Sequence, residues 1–309
     1  MKLLAAAALV VGIAGATSSS PELAGCPVFP ASNPWNQKVD KLPVAANSAQ
    51  LIASMGTAGG VHADFGNGLY NGSRIGIPYV VVHASTTPKS RVTFLYADES
   101  DKGPYPIPAG VPIEGYPQHA NEGDRHVLIV DRDACRLYEL SGMSKANGRW
   151  SGWSGAIWSL RSNAVRPAGW TSADAAGLPI LPGLARWAGD AATGHINHAL
   201  RFTVQRTRRA YVYPARHFAS SDTDPSLPPM GLRVRLKAGV DISGFPRQAR
   251  IVLQALKTYG MLLADNGSAW YISGAPNPHW NDDALHQLDR LTGRDFEVVD
   301  TSSLPHPGL

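Results

Sequence analysis

Arg125-His126-Val127-Leu128-Ile129-Val130-Asp131-Arg132-Asp133-Ala134-Cys135-Arg136-Leu137-Tyr138-Glu139-Leu140 reads as two strands joined by a turn. Val127 to Val130 is a β-branched, apolar run of strand length, Asp131 to Ala134 is a polar turn, and Cys135 to Leu140 resumes a strand pattern. Working outward, Tyr79 to Ser85 and Arg91 to Ala97 are further β-rich runs upstream. These four segments are expected to share a sheet. Upstream again, Asn47 to Met55 gives a short helical pattern ending at Gly56.

Downstream, Trp150, Trp153, Trp158 and Trp170 place half of the eight tryptophans among Gly and Ser. Ser172 then reads as the cap of a short helix with Asp174 in its first turn, and Pro182 to Trp187 as a second. Strand patterns return at His195 to Val204, Ala210 to Tyr213 and Gly231 to Ile242. The clearest helix follows, with Pro246 at its first position, Ile251, Val252, Ala255, Leu256 and Tyr259 at helical spacing, and Gly260 just past its end. Met261 to Ala264 and Ala269 to Ser273 flank Asn266-Gly267, a strong hairpin signal. A helix near Asp282 to Leu291 and a strand Phe296 to Val299 complete the chain.

Only 17% of the 309 residues are charged, while 31 are Gly and 24 are Pro. That composition excludes a disordered chain and argues against coiled coils. The expected fold is mainly β, a β-sandwich or jelly-roll-like body with a few peripheral helices. A propeller is disfavoured because no 40–50-residue period is visible.

Lys2, the apolar run Leu3 to Ala14 and the small residues Ala14-Gly15-Ala16 read as a signal peptide, residues 1–16, cleaved after Ala16. A Pro- and Ser-rich lead-in at 17–46 and a single β-rich domain at 47–309 follow. The expected location is extracellular or periplasmic, with no membrane association once the leader is removed. Cys26 and Cys135 are the two cysteines, and an oxidising compartment favours a disulfide between them.

Net charge is +4, too small to imply nucleic acid. Arg201, Arg206, Arg208, Arg209, Arg216, Arg233, Arg235 and Lys237 nevertheless face only Asp222 and Asp224 within their segment. Such an excess suits either an anionic polysaccharide or solvated strand faces bridged to acidic loops.

The sharp catalytic motifs are absent: Gly152-Trp153-Ser154-Gly155 lacks the G-x-S-x-G spacing, and there is no H-E-x-x-H, P-loop or C-x-x-C. Carboxylates and histidines in polar loops beside aromatic segments are instead the raw material of a carbohydrate site, where rings stack on pyranose faces and polar groups bond hydroxyls. His62 and Asp64 fall on one side of an extended chain, as an acid–base pair, a metal half-site or a histidine bonded to its neighbour; Asp124 and His126 fall likewise, with the aspartate alternatively capping a turn at the strand entry. Alternation in His195 to Arg201 sets Arg201 and Thr203 on a polar row and His198 on the apolar side, so one strand does not build a zinc site. Asp265, within Asp-Asn-Gly, reads as a turn residue.

His62 to Gly66, Ala97 to Asp101, Gly123 to Val130, Ser172 to Pro179, His198 to Thr203, Pro228 to Gly231 and Ala264 to Ser273 together resemble a group of exported bacterial proteins generally labelled hypothetical. The resemblance covers most of the chain after the leader and transfers no functional residue.

The leading expectation is a secreted polysaccharide-degrading enzyme, a glycoside hydrolase with Asp64, Asp124 and Asp174 as its acid–base carboxylates. A polysaccharide lyase is the alternative, with Arg201 or Arg216 clamping a uronate and His198 or His217 removing the proton. A non-catalytic carbohydrate- or cell-wall-binding protein is the third. His62, His126, Trp153, Trp158, Trp170 and Arg216 are the expected substrate contacts. No cofactor or catalytic metal is expected; a structural calcium stays open.

Overall fold

The computed structural model describes residues 20–116, 118 and 122–309; the expected leader, residues 1–16, lies outside them. In chain order the first half holds α1 (Ser48–Met55), β1 (His62–Asp64), β2 (Tyr79–Val82), β3 (Val92–Phe94), β4 (Val127–Asp131) and β5 (Arg136–Ser141). Then come β6 (Ser144–Ala146), β7 (Arg149–Gly152), β8 (Ser154–Ser159) and β9 (Leu200–Val204). The remainder holds β10 (Arg233–Leu236), α2 (Arg247–Thr258), β11 (Met261–Asn266), β12 (Tyr271–Ser273), α3 (Asp282–His286) and β13 (Phe296–Val298). The fold is mainly β with short peripheral helices, as the composition implies.

β4 and β5 form the hairpin read from the sequence, pairing Val127 with Leu140 through Asp131 with Arg136. β8 adds to β5 antiparallel and β2 to β4 parallel, giving the order β8-β5-β4-β2. Both faces of this sheet are covered. Leu128, Val130, Leu137 and Trp158 pack on one side, and Val127, Ile129, Tyr138 and Leu140 on the other, which is why Val127 to Val130 is apolar without alternation. The fourth run, expected in this sheet, is elsewhere: β3 pairs in parallel with β7, beside β6. Its partner is more than fifty residues away, beyond any local pattern.

The larger sheet has the order β13-β10-β11-β9-β12-β1, with β11–β9 and β12–β1 parallel and the other pairs antiparallel. β11 and β12 are therefore not the hairpin that Asn266-Gly267 predicts. β9 lies between them and bonds to both, so the intervening segment spans a strand instead of closing a two-residue turn. Under this sheet α2 buries Ala249, Ile251, Val252, Leu253, Ala255 and Leu256. Pro246 caps α2 from one residue before its start, and Gly260 follows at φ 65°, a left-handed position that suits glycine.

Further local expectations change: Ala210 to Tyr213 forms only an isolated bridge, Tyr211 with Met230, and Gly231 to Ile242 is strand over Arg233–Leu236 alone. Ser172 starts no helix; its hydroxyl bonds the Asp174 and Leu178 carbonyls and closes a buried turn. Pro182 to Trp187 supplies only a 3-10 turn, Leu181–Gly183. Of His195 to Val204 only Leu200–Val204 is strand. The last helix stops at His286 and continues as a 3-10 turn, Gln287–Arg290.

The lead-in is built into the body. Trp35 is buried in the largest core, and a disulfide joins Cys26 to Cys135 across 5.5 Å between Cα atoms. Two buried arginines of β10 hold the same segment. Arg233 donates to the Pro34, Gln37 and Tyr259 carbonyls, and Arg235 to those of Val39 and Leu42 and to the Glu297 carboxylate. With Arg201 also buried, three of the eight clustered cations are internal and do not form a surface patch. Among the described residues no helix is long and apolar enough to cross a membrane.

Candidate functional site

A β-bulge decides what the large sheet presents. In the parallel ladder Arg201 pairs with Leu262 and Phe202 with Leu263, but Thr203 pairs with Asp265, leaving Ala264 as an extra residue. Leu200, Phe202 and Val204 face the core, so Arg201 and Thr203 face the other way. Without the extra residue Ala264 would stand beside Thr203 and Asp265 would turn inward. The bulge re-aims Asp265 onto the polar face, and the Ala264 carbonyl it frees accepts from the Ala176 N–H at 3.0 Å.

Across the strands this face carries two rows. Tyr271 is registered with Thr203 on one side and His62 on the other, continuing the row that begins at Asp265. Ser273 is registered with Asp64, and its hydroxyl accepts from Arg201 Nη1 at 2.6 Å. The opposite wall comes from the segment entering β4. There Glu114 and His126 are locked together: the Glu114 N–H donates to the His126 carbonyl at 3.0 Å, and His126 Nδ1–H donates to the Glu114 carboxylate at 2.5 Å. The other ring nitrogen donates to the Ala173 carbonyl at 2.9 Å.

Between the walls lies a cleft of about 230 Å3 lined by Asp64, Glu114, Asp124, His126, Arg201 and Asp265, with Thr203, Tyr271 and Ser273. It opens into a wider cleft of about 740 Å3 that Asp64, Glu114, Asp124 and Tyr271 also line, together with His62, Tyr70 and Asp282. Four carboxylates therefore converge on one space. Under its floor Asp174, fully buried, grips Arg201 in bidentate fashion at 2.9 and 3.2 Å, and the same guanidinium reaches Asp265 at 3.4 Å.

These surroundings separate the carboxylates chemically. Burial and the charge of Asp174 push the Asp265 carboxyl up to about 7, with Arg201 pulling the other way. Partial burial and the like charge of Glu114 raise Asp64. Burial opposes ionisation of Glu114 too, but the His126 imidazolium holds its carboxyl below the usual range. His126, buried yet facing that carboxylate, rises to about 9. The same cleft thus holds a carboxyl that exchanges its proton near neutral pH and a carboxylate kept ionised, the kind of separation that acid–base catalysis uses.

The structure brings together Asp64, Asp124, Arg201, His62 and His126 from the sequence-based set. Asp174 supports Arg201 from below and does not line the cleft. His198 lies apart, buried, with Nε2 donating to the Asp190 carboxylate at 3.1 Å next to Arg186 and Nδ1 donating to the Ala199 carbonyl at 2.8 Å. His217 donates through Nδ1 to the Ala175 carbonyl and stacks on Phe218. The tryptophans do not pave the cleft: Trp158 and Trp170 flank the Arg166 guanidinium, at 5.8 and 5.3 Å, and Trp153 lies against Gly142. Arg216 donates to the Arg166 carbonyl.

Sequence reasoning missed Glu114, Asp265 and Tyr271. Asp265 does behave as a turn aspartate with one oxygen, accepting from the Asn266 N–H at 2.7 Å, while the other faces Arg201. The available signal was a carboxylate ending the apolar run Met261 to Ala264. Among the described residues no group of three or more His, Cys, Asp or Glu is arranged to hold a metal ion. No protein-family model, curated protein or solved structure matches the chain.

Proposed function

We propose that the chain is an exported polysaccharide-degrading enzyme, a glycoside hydrolase, with Asp265 as the general acid and Asp64 as its partner carboxylate. One observation carries this reading: carboxylates on separate strands, Asp64 and Asp265, line a single cleft, and the Asp265 carboxyl is pushed up to about 7, where a general acid works near neutral pH. Asp265 would protonate the leaving glycosidic oxygen while Asp64 attacks the sugar or activates water. Tyr271, Thr203 and Asp124 line the same cleft and would bond sugar hydroxyls, and the ring pair His62–Tyr271, 4.2 Å between centroids, would offer a stacking edge. The leader read in the sequence and the Cys26–Cys135 disulfide support export.

The lyase expectation gives Arg201 the role of clamping a uronate carboxylate. Arg201 spends its donors on Asp174, Asp265 and Ser273, which argues against that role for it.

The test is incubation of residues 17–309 with neutral, amino-sugar and uronic-acid polysaccharides, following new reducing ends and the absorbance of unsaturated uronates. Reducing ends without unsaturated products are expected. Asp265→Asn should lower kcat by about 10²–10⁴-fold, the usual contribution of a general acid, with the fold intact. Unsaturated products, or full activity in both Asp265→Asn and Asp64→Asn, would overturn the assignment.

A further inference from the structure

The cleft does not end at Glu114. Beyond it runs a second groove of about 760 Å3, walled by Pro88, Pro108, Pro112, Ser90, Lys145 and Trp150. Arg74, Gly76, Glu114 and Gly115 line both the groove and the wide cleft, so the two meet along a common rim. Apolar and aromatic side chains stand out of the surface around this junction. Tyr70 in the cleft is 69% exposed, and in the groove Tyr116 is 61% and Leu69 64% exposed. Trp150 is half-buried on the groove wall with the Lys145 ammonium 5.1 Å from its ring centroid.

We propose that this groove binds the continuation of the same glycan whose scissile bond lies beside Asp265, so that the protein cuts within long chains. The inference rests on the hydrolase reading. Rings rimmed by hydroxyl, ammonium and guanidinium donors match a pyranose chain, which has apolar faces and polar edges. Exposed aromatic and apolar side chains gathered at the mouth of a cleft mark a binding surface. Prolines fix the groove wall before any ligand arrives, which lowers the ordering cost of binding. The shared rim names the occupant, because a chain leaving the catalytic cleft past Glu114 enters this groove next.

Binding and cleavage of hexasaccharides and disaccharides of 1,4-linked glucose, glucosamine or galacturonate test it. Trp150→Ala removes the stacking surface and Ser90→Trp fills the groove; neither residue lines the catalytic cleft. Binding is measured in the Asp265→Asn background and cleavage in the active protein, with thermal unfolding as the folding control. Both variants should weaken hexasaccharide binding and raise its KM by about tenfold, leaving kcat and the disaccharide values unchanged. If hexasaccharide binding and cleavage persist unaltered in both variants, or if hexa- and disaccharide lose equally, the groove is not a subsite, while the hydrolase reading stands. If no saccharide is bound by Asp265→Asn or cleaved by the unmodified protein, both readings fall.

Discussion

Asp174 and Asp265 share the Arg201 guanidinium, and they share it unequally: Asp174 takes two bonds at 2.9 and 3.2 Å, Asp265 one long contact at 3.4 Å. The charge of Arg201 is thus largely spent on Asp174, and the Asp265 carboxyl stays raised, at about 7. Replacing Asp174 by Asn should hand the guanidinium to Asp265 and remove a neighbouring negative charge. Both changes lower the Asp265 carboxyl, so the alkaline limb of the pH–rate profile should move to lower pH by about one unit, read from kcat against pH. The sequence showed part of this. Alternation alone put Arg201 and Thr203 on one polar face, and the pairs His62/Asp64 and Asp124/His126 were visible as spacings. Glu114 was not, because Ile113-Glu114-Gly115 sits in a loop without periodicity, and its partner His126 is brought beside it only by tertiary structure.

At the level of elements, the hairpin of β4 and β5 was legible because its partners are adjacent in the chain and its turn is polar. The order of the large sheet was not. β9 enters between β11 and β12 from sixty residues upstream, and a local Asn-Gly signal cannot report a strand that arrives from elsewhere. The bulge at Ala264 was equally hidden, since an extra residue has meaning only against a partner strand. The hairpin also anchors the N-terminal segment, through Cys135, the turn residue just before its second strand. Exchanging Cys26 and Cys135 together for Ser opens a loop closed across a sequence separation of 109 residues. The chain-entropy account predicts a loss of about 4–5 kcal/mol, seen as a lower urea midpoint with the native far-ultraviolet spectrum retained in the absence of urea.

Over the whole molecule, several buried groups hold protons that the unfolded chain would release at lower pH. His126 rises from 6.5 to about 9, and burial takes Glu139 from 4.5 to about 7 despite bonds from the Ile180 and Leu181 N–H groups. Asp265 rises similarly, to about 7. Each raised group contributes stability that is complete below its unfolded value and lost as pH climbs through its folded one. Glu114 and Asp190, held below their ordinary values by His126 and by Arg186 with His198 against the effect of burial, act oppositely and withdraw stability in acid. The melting temperature should therefore peak near about pH 5 and fall towards about pH 9, and Glu139→Gln should flatten the part between about 4.5 and 7. Calorimetry across that range checks both. The clasp of Arg233 and Arg235 on the lead-in has a consequence for the order of synthesis. Residues 34–42 leave the ribosome early, but the guanidinium groups that hold their carbonyls follow almost two hundred residues later. Cys135 can meet Cys26 well before that, but these carbonyls stay without their guanidinium partners in the nascent chain until β10 has been made.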